Sequence, residues 1–232
     1  MSKEEIWVVP TFGQGHLFPC MELCKHIATR DFQATFIISS NNSASIPSSL
    51  RQHSLIQVFE IPPSLPQPAS EAIPQHRRLH AEMALALENL LSTRSGPKPV
   101  CVILDILMGW AISVFAKFHI PIVAFFTSGA SSAAMEYATW KAHVEDIQPG
   151  EVHLLPGLPE DMAFSYSDLK RRPHGHGPPT SSAGGPPGPK KMGPPKPGNQ
   201  PPWVDEIEGV ITLLINTWED LERPFSLSIS TD

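Results

Sequence analysis

Apolar and polar positions follow two rhythms along the chain. Short, nearly unbroken apolar runs read as strands: Ile6 to Pro10, "QATFIIS" from Gln33 to Ser39, "LIQVFEI" from Leu55 to Ile61, "PVCVILDI" from Pro99 to Ile106 and "PIVAFF" from Pro121 to Phe126. Between them the period lengthens. Met21, Leu23, Cys24, Ile27 and Ala28 recur at helical spacing and predict a helix from about Leu17 or Phe18 to Arg30. A longer helical pattern spans about Ser70 to Ser92, strongest in "AEMALALENLL", with Pro74 as a break or as the true start. Further helices are predicted over Trp110 to Phe118 and Ser131 to Val144, and after Trp203 a short helix leads to a strand from Val210 to Asn216. Strands that alternate with helices predict an α/β fold, a Rossmann-like parallel sheet flanked by helices. The run from Pro99 to Ile106 suits a central strand covered on both faces.

From Pro173 to Pro202 this pattern stops. The segment holds 11 of the 26 prolines and 7 of the 15 glycines. It has too little apolar surface to offset its ordering entropy, which predicts a Pro/Gly-rich flexible loop at 173–202 inside one domain spanning 1–232. It lacks the Gly-X-Y period of collagen.

Composition narrows the classes. A content of 41% hydrophobic and 17% charged residues fits a soluble globular protein of 232 residues. A net charge of −6 argues against a nucleic-acid partner, and the basic clusters Lys170-Arg171-Arg172 and Lys190-Lys191 read as solvated loop. No window has the 18 or so apolar residues of a membrane span, and the acidic start "MSKEEIWVV" is unlike a signal peptide. Three cysteines read as reduced thiols, consistent with a cytoplasmic location. Cys20 and Cys24 lie one helical turn apart and His174 and His176 share a loop, but no second ligand pair completes a metal set, so no metal and no resident cofactor are expected.

The stretch "PTFGQGHLFPC" after the first strand poses the chemical question. A dinucleotide-binding turn needs G-x-G-x-x-G and an acid about 20 residues on. Here Gly13 and Gly15 are followed by Phe18, and the second strand ends in Ser39, Ser40, Asn41 and Asn42. An NAD-dependent oxidoreductase therefore ranks well behind. No G-K-[ST] occurs either, which removes a P-loop. His16, placed just before the first helix, sits where open α/β sheets bind ligands, and an imidazole there is suited to accept a proton. A base of this kind wants a carboxylate on its other nitrogen. Asp105, at the end of "VCVILD" and at the same sheet edge, is the candidate partner. The competing reading is that both residues only cap helices.

Three segments, "PTFGQGHLFPCMELCKHIA", "CVILDILMGWAISVFAKFHIPIVAFFTS" and "LLINTWEDLE", in this order and spread from about residue 5 to 225, resemble the N-terminal, acceptor-binding half of plant family-1 UDP-glycosyltransferases. The resemblance implies one half of a GT-B fold, in which two Rossmann-like domains face each other. It implies inverting transfer of a sugar from a UDP-sugar to a hydroxyl or aromatic group of a small plant metabolite, such as a phenolic or terpenoid acceptor, without a metal. His16 then matches the general base and Asp105 the acid that orients it. Gly15 and Thr127 match residues beside the sugar donor, and Phe12, Met83, Trp110 and Trp140 fall where an acceptor pocket is expected.

The chain departs from that family in one large respect. It has no "W-x-P-Q" start, no "H-C-G-W-N-S" core and no closing "D/E-Q" of the donor signature, and after "NTWEDLERPF" it reads "SLSISTD". The expectation is that the C-terminal UDP-sugar-binding domain is absent, that UDP-sugar is a partner only if a donor domain is supplied, and that the truncated chain is inactive alone. The alternative function is a non-catalytic small-molecule binding module derived from the same domain.

Overall fold

The computed structural model describes residues 3–62, 75–170, 198–218 and 222. The predicted flexible loop at 173–202 lies outside the described residues except for its last five positions. The chain divides into two compact units, one formed by Met1–Gly129 with Trp203–Asn216 and the other by Ala130–Pro202 with Thr217–Asp232.

In the first unit the apolar runs form strands close to their predicted bounds: β1 (Glu5–Val9), β2 (Gln33–Ser39), β3 (Ile56–Ile61), β4 (Cys101–Asp105), β5 (Ile122–Phe126) and, after the predicted short helix, β8 (Thr212–Ile215). The helices are α1 (Gln14–Thr29), a single turn α2 (Ser48–Arg51), α3 (Gln75–Thr93), α4 (Ile112–Lys117) and α7 (Pro202–Glu206). The second unit holds α5 (Ala130–Lys141), a two-residue antiparallel pair β6 (Val152–His153) and β7 (Phe164–Ser165), and α6 (Tyr166–Lys170). Its small core joins Ala138, Val144, Leu155 and Phe164.

All six strands of the main sheet run parallel in the order β3-β2-β1-β4-β5-β8. The order reverses between β1 and β4, and such a switch point opens a crevice at the carboxyl ends of the strands. Alternation along the strands builds two cores. Val8, Phe36, Ile103 and Phe125 pack with Leu17, Cys20 and Cys24 of α1 on one face. Trp7, Val9, Val102 and Leu104 pack with Met83 and Leu87 of α3 and Phe115 of α4 on the other. β4 is thus interior and doubly covered, which explains its unbroken apolar run.

Two helices differ from expectation. α1 begins at Gln14, three residues before the predicted start, because Gly13 adopts φ 105° and its carbonyl accepts from both His16 N and Leu17 N, at 3.1 and 3.0 Å. A left-handed φ of this kind is open to glycine and costly for other residues. His16 therefore lies in the first turn of the helix and not ahead of it. The helix predicted over Trp110 to Phe118 splits instead into a tight 3-10 segment, Ile106–Ala111, and the shorter α4. Asp105 accepts from Leu107 N at 2.9 Å and starts that tight turn directly at the strand end.

At the opposite end of β1, Glu5 is a buried acid that the apolar pattern does not reveal. Its carboxylate accepts from Trp7 Nε1 at 2.9 Å and Thr35 Oγ1 at 2.5 Å, and it pairs with Arg94 from the segment after α3. Arg94 also stands 5.6 Å over the Trp7 ring. This cluster ties β1, β2 and the chain after α3 together. Replacing Glu5 by Ala leaves three donors without their acceptor and is expected to cost about 3 kcal/mol, the lower end for breaking a buried pair, since Arg94 keeps part of its surface in water. Urea unfolding checks this, and a loss below about 1 kcal/mol would make the cluster a surface ornament.

Candidate active site at the sheet switch point

β1 and β4 are hydrogen-bonded neighbours, with Val9 in register with Leu104, so the residues that follow them emerge side by side. From the β1 side the Gly13 turn starts α1 and carries His16 in its first turn. From the β4 side comes Asp105, whose side chain has no exposed surface. His16 Nδ1 lies 2.8 Å from Asp105 Oδ2. The other carboxylate oxygen, Oδ1, takes the Leu107 amide, so both oxygens are held. A buried charge is retained only when it is paired and hydrogen-bonded in this way.

A third strand end completes the cluster. Thr127, directly after β5 and 7% exposed, places Oγ1 3.1 Å from the same His16 Nδ1. The carbonyl of Thr127 accepts from Asn216 Nδ2 at 3.0 Å, and Asn216 N donates to the Phe126 carbonyl at 2.9 Å. The residue after β8 thereby fixes the position of Thr127. With Nδ1–H directed at a carboxylate, Nε2 of His16 is left as the basic nitrogen; it has no hydrogen-bond partner among the described residues, and the side chain keeps 28% of its surface exposed. With the ring in that tautomer, such an arrangement can act as a base with an open lone pair.

The Asp105 hydrogen bond raises the His16 pKa above the usual histidine value, against the opposing effect of burial. The pair favours the imidazolium in the folded chain. Its contribution to stability is therefore fully present below about pH 6.5 and is lost as pH rises through the raised value. Beneath His16 in the core, the Cys20 and Cys24 thiols are pushed up by burial, Cys20 also by Asp105, so both stay protonated and inert.

The remaining predicted residues separate. Gly15 lies in the first turn of α1 with open space around it: a Cβ there would meet nothing within 4 Å. Phe12 and Met83 line one cavity of about 150 Å³ at the carboxyl ends of β2 and β3. Trp110 lies outside that lining, stacked on His80 with centroids 4.9 Å apart, and its Nε1 is buried without a partner among the described residues. Trp140 belongs to the second unit, where it packs against Tyr137 and under Lys141. Among the described residues no group of three or more His, Cys, Asp or Glu is placed to hold a metal ion, and no helix is long and apolar enough to cross a membrane.

Sequence reasoning missed Asn216 and Glu206. Glu206, on α7, is pressed so close to Gly109 that a Cβ at Gly109 would come within 2.8 Å of it. Burial above all, with a smaller push from Asp105, raises its carboxyl pKa against a Gly109 backbone hydrogen bond that lowers it. The quoted "LLINTWEDLE" contained Asn216, but nothing in its pattern pointed to a bond with a residue 89 positions away.

No family model matches the chain. UDP-glycosyltransferase 83A1 of Arabidopsis thaliana is 26% identical over 202 residues, which are 74% of this chain and 42% of that protein. Mogroside IIIx synthase of Siraitia grosvenorii is 30% identical over 139 residues, 54% of this chain and 29% of that protein. The crystal structure of LpCGTa in complex with UDP superposes with a TM-score of 0.63 at 22% identity, over 98% of this chain and 49% of the other. The chain thus spans less than half the length of these relatives, and its parallel sheet is the Rossmann-like half of a GT-B fold.

If Asp105 is what raises the His16 pKa, Asp105→Asn should remove the raising causes and leave only burial, which lowers it. Following the His16 Cε1 proton by NMR against pH, we expect the midpoint to fall. An unchanged midpoint would mean that the pair exists without electrostatic effect.

Proposed function

From a chain that resembles the N-terminal half of plant UDP-glycosyltransferases, we propose that it is the acceptor-binding, base-bearing half of an enzyme that transfers a sugar from a UDP-sugar to a hydroxyl of a small plant metabolite. The observation that carries this reading is the 2.8 Å contact between His16 Nδ1 and Asp105 Oδ2, with Nε2 left open. The acceptor hydroxyl lies against Nε2. As its oxygen bonds to the anomeric carbon, the proton passes to Nε2 and the bond to UDP breaks on the opposite face, so the configuration inverts. Asp105 steadies the imidazolium that forms, and its own proton inventory does not change. Thr127 and Gly15 border the transferred sugar.

The raised His16 pKa sets a working range. Nε2 is a base only when the ring is neutral, so transfer should rise with pH through a midpoint above about 6.5. UDP-sugar binding we assign chiefly to the part of the relatives that this chain does not match. Gly15 and Thr127 alone offer a few hydrogen bonds, each worth about 0.5–1.5 kcal/mol net, against the roughly 4 kcal/mol that millimolar affinity requires. Supplied with UDP-glucose and an acceptor, the 232-residue chain by itself should form no product.

Joined to the C-terminal half of the Arabidopsis relative and assayed with an aliphatic alcohol, which does not ionise unaided, the chain should transfer glucose. His16→Ala should then lose about 10²–10⁴-fold in rate, and Asp105→Asn somewhat less. Near-full activity of His16→Ala would remove the base assignment. Gly15→Ala separates a folding role from a sugar-facing one. The open space at Gly15 predicts that alanine leaves the fold unharmed, or stabilises α1 by up to about 1 kcal/mol, while the KM for UDP-glucose rises. A Gly15→Ala chain that unfolds early but keeps its KM would show the reverse.

A further inference from the structure

The cavity shared by Phe12 and Met83 has a polar side that the transfer reaction does not use. α3 presents Leu79, Glu82, Met83 and Ala86 to it, the spacing of one helical face. The facing wall comes from the ends of β2 and β3, where Ser39 and Ile61 are the last strand residues. These ends share the carboxyl edge of the sheet with Asp105, and Phe12 belongs to the loop that leads into His16. A cavity of about 150 Å³ has the size that holds one benzene ring in an engineered protein core.

Glu82 is the unusual member of this lining. Three other acids of the unit are engaged, Glu60 with Ser43 and Arg51, Glu88 with Lys117 and Glu5 with three donors, whereas Glu206, outside this lining, has one oxygen without a partner among the described residues. Glu82 has no hydrogen bond or ion pair among the described residues, yet it lines an otherwise largely apolar space. Opposite it, the Ser39 hydroxyl accepts, among the described residues, only a long contact from Asn41 N, 3.4 Å, and keeps its own proton to give. A carboxylate facing an apolar cavity is costly unless a donor meets it, and a hydroxyl supplies a charge-assisted bond. A second carboxylate brought there meets like charge.

We propose that this cavity holds one six-membered ring of the acceptor, and that Glu82 is a specificity-determining residue that selects rings bearing a hydroxyl and rejects rings bearing a carboxylate. The inference rests on the reading that the chain binds a hydroxylated small-molecule acceptor, and it names the acceptor class.

The test uses the full 232-residue chain without UDP-sugar and two probes of nearly equal shape, 4-hydroxybenzyl alcohol and 4-hydroxybenzoate, titrated by ligand-observed NMR. The alcohol is expected to bind at least tenfold more tightly. Glu82→Gln should shrink that gap to threefold or less, chiefly by strengthening the benzoate. Equal binding of the two probes, a gap unchanged in Glu82→Gln, or no saturable binding of either would overturn the proposal. If the preference appears while the chain joined to a donor half transfers no sugar, the reaction assignment fails and the ring selection stands.

Discussion

Asp105 carries a carboxylate to a place with no exposed surface, and the site is arranged around meeting it. Its side chain is wholly covered, so each oxygen needs a donor: the Leu107 amide serves one and His16 Nδ1 the other. The first bond turns the chain sharply after β4. The second requires β1 and β4 to be adjacent and α1 to begin early enough for His16 to reach across. Both conditions are met at the point where strand order reverses, and there an open α/β sheet has its crevice. Thr127 and Asn216 extend the dependence to β5 and β8. Four of the six strands of the sheet thus deliver a residue to one cluster, in which the proposed chemistry falls to His16.

The balance of forces on His16 follows from the same pair. Burial alone would favour the neutral ring, and the Asp105 hydrogen bond outweighs it. The ring is a stronger base than a free imidazole, while Nδ1 is committed and cannot compete for the substrate proton. Positive φ at Gly13 is the backbone condition for this, because it lets the helix start three residues sooner than its apolar spacing suggests.

Much of this was legible in the chain. Strand positions followed from unbroken apolar runs, and the bounds of β2 match the pattern residue for residue. His16 and Asp105 were both visible as polar residues at strand ends, and a parallel sheet puts such ends on one edge. The failed dinucleotide fingerprint was equally readable from Phe18. The rest depends on contacts that no local pattern encodes. The α1 start turns on one backbone angle, and the spacing of Met21, Cys24 and Ala28 is silent about it. Thr127 meets His16 across 111 residues and Asn216 meets Thr127 across 89. Glu5 hides in the apolar rhythm of β1 because Trp7, Thr35 and Arg94 supply its partners from elsewhere. Glu206 gave no signal, since its position against Gly109 depends on α7 docking beside the turn after β4.

The central claim is that the neutral His16 ring holds its proton on Nδ1, toward Asp105, and keeps the Nε2 lone pair free for an acceptor. A long-range proton–nitrogen correlation spectrum of the chain labelled at histidine nitrogen, recorded above the His16 midpoint, reads this directly. The account predicts a protonated Nδ1 and an unprotonated Nε2, the minor tautomer of free imidazole, reverting toward the common one in Asp105→Asn. Finding the proton on Nε2 in the unaltered chain would contradict it, because the ring would then have no lone pair facing the crevice.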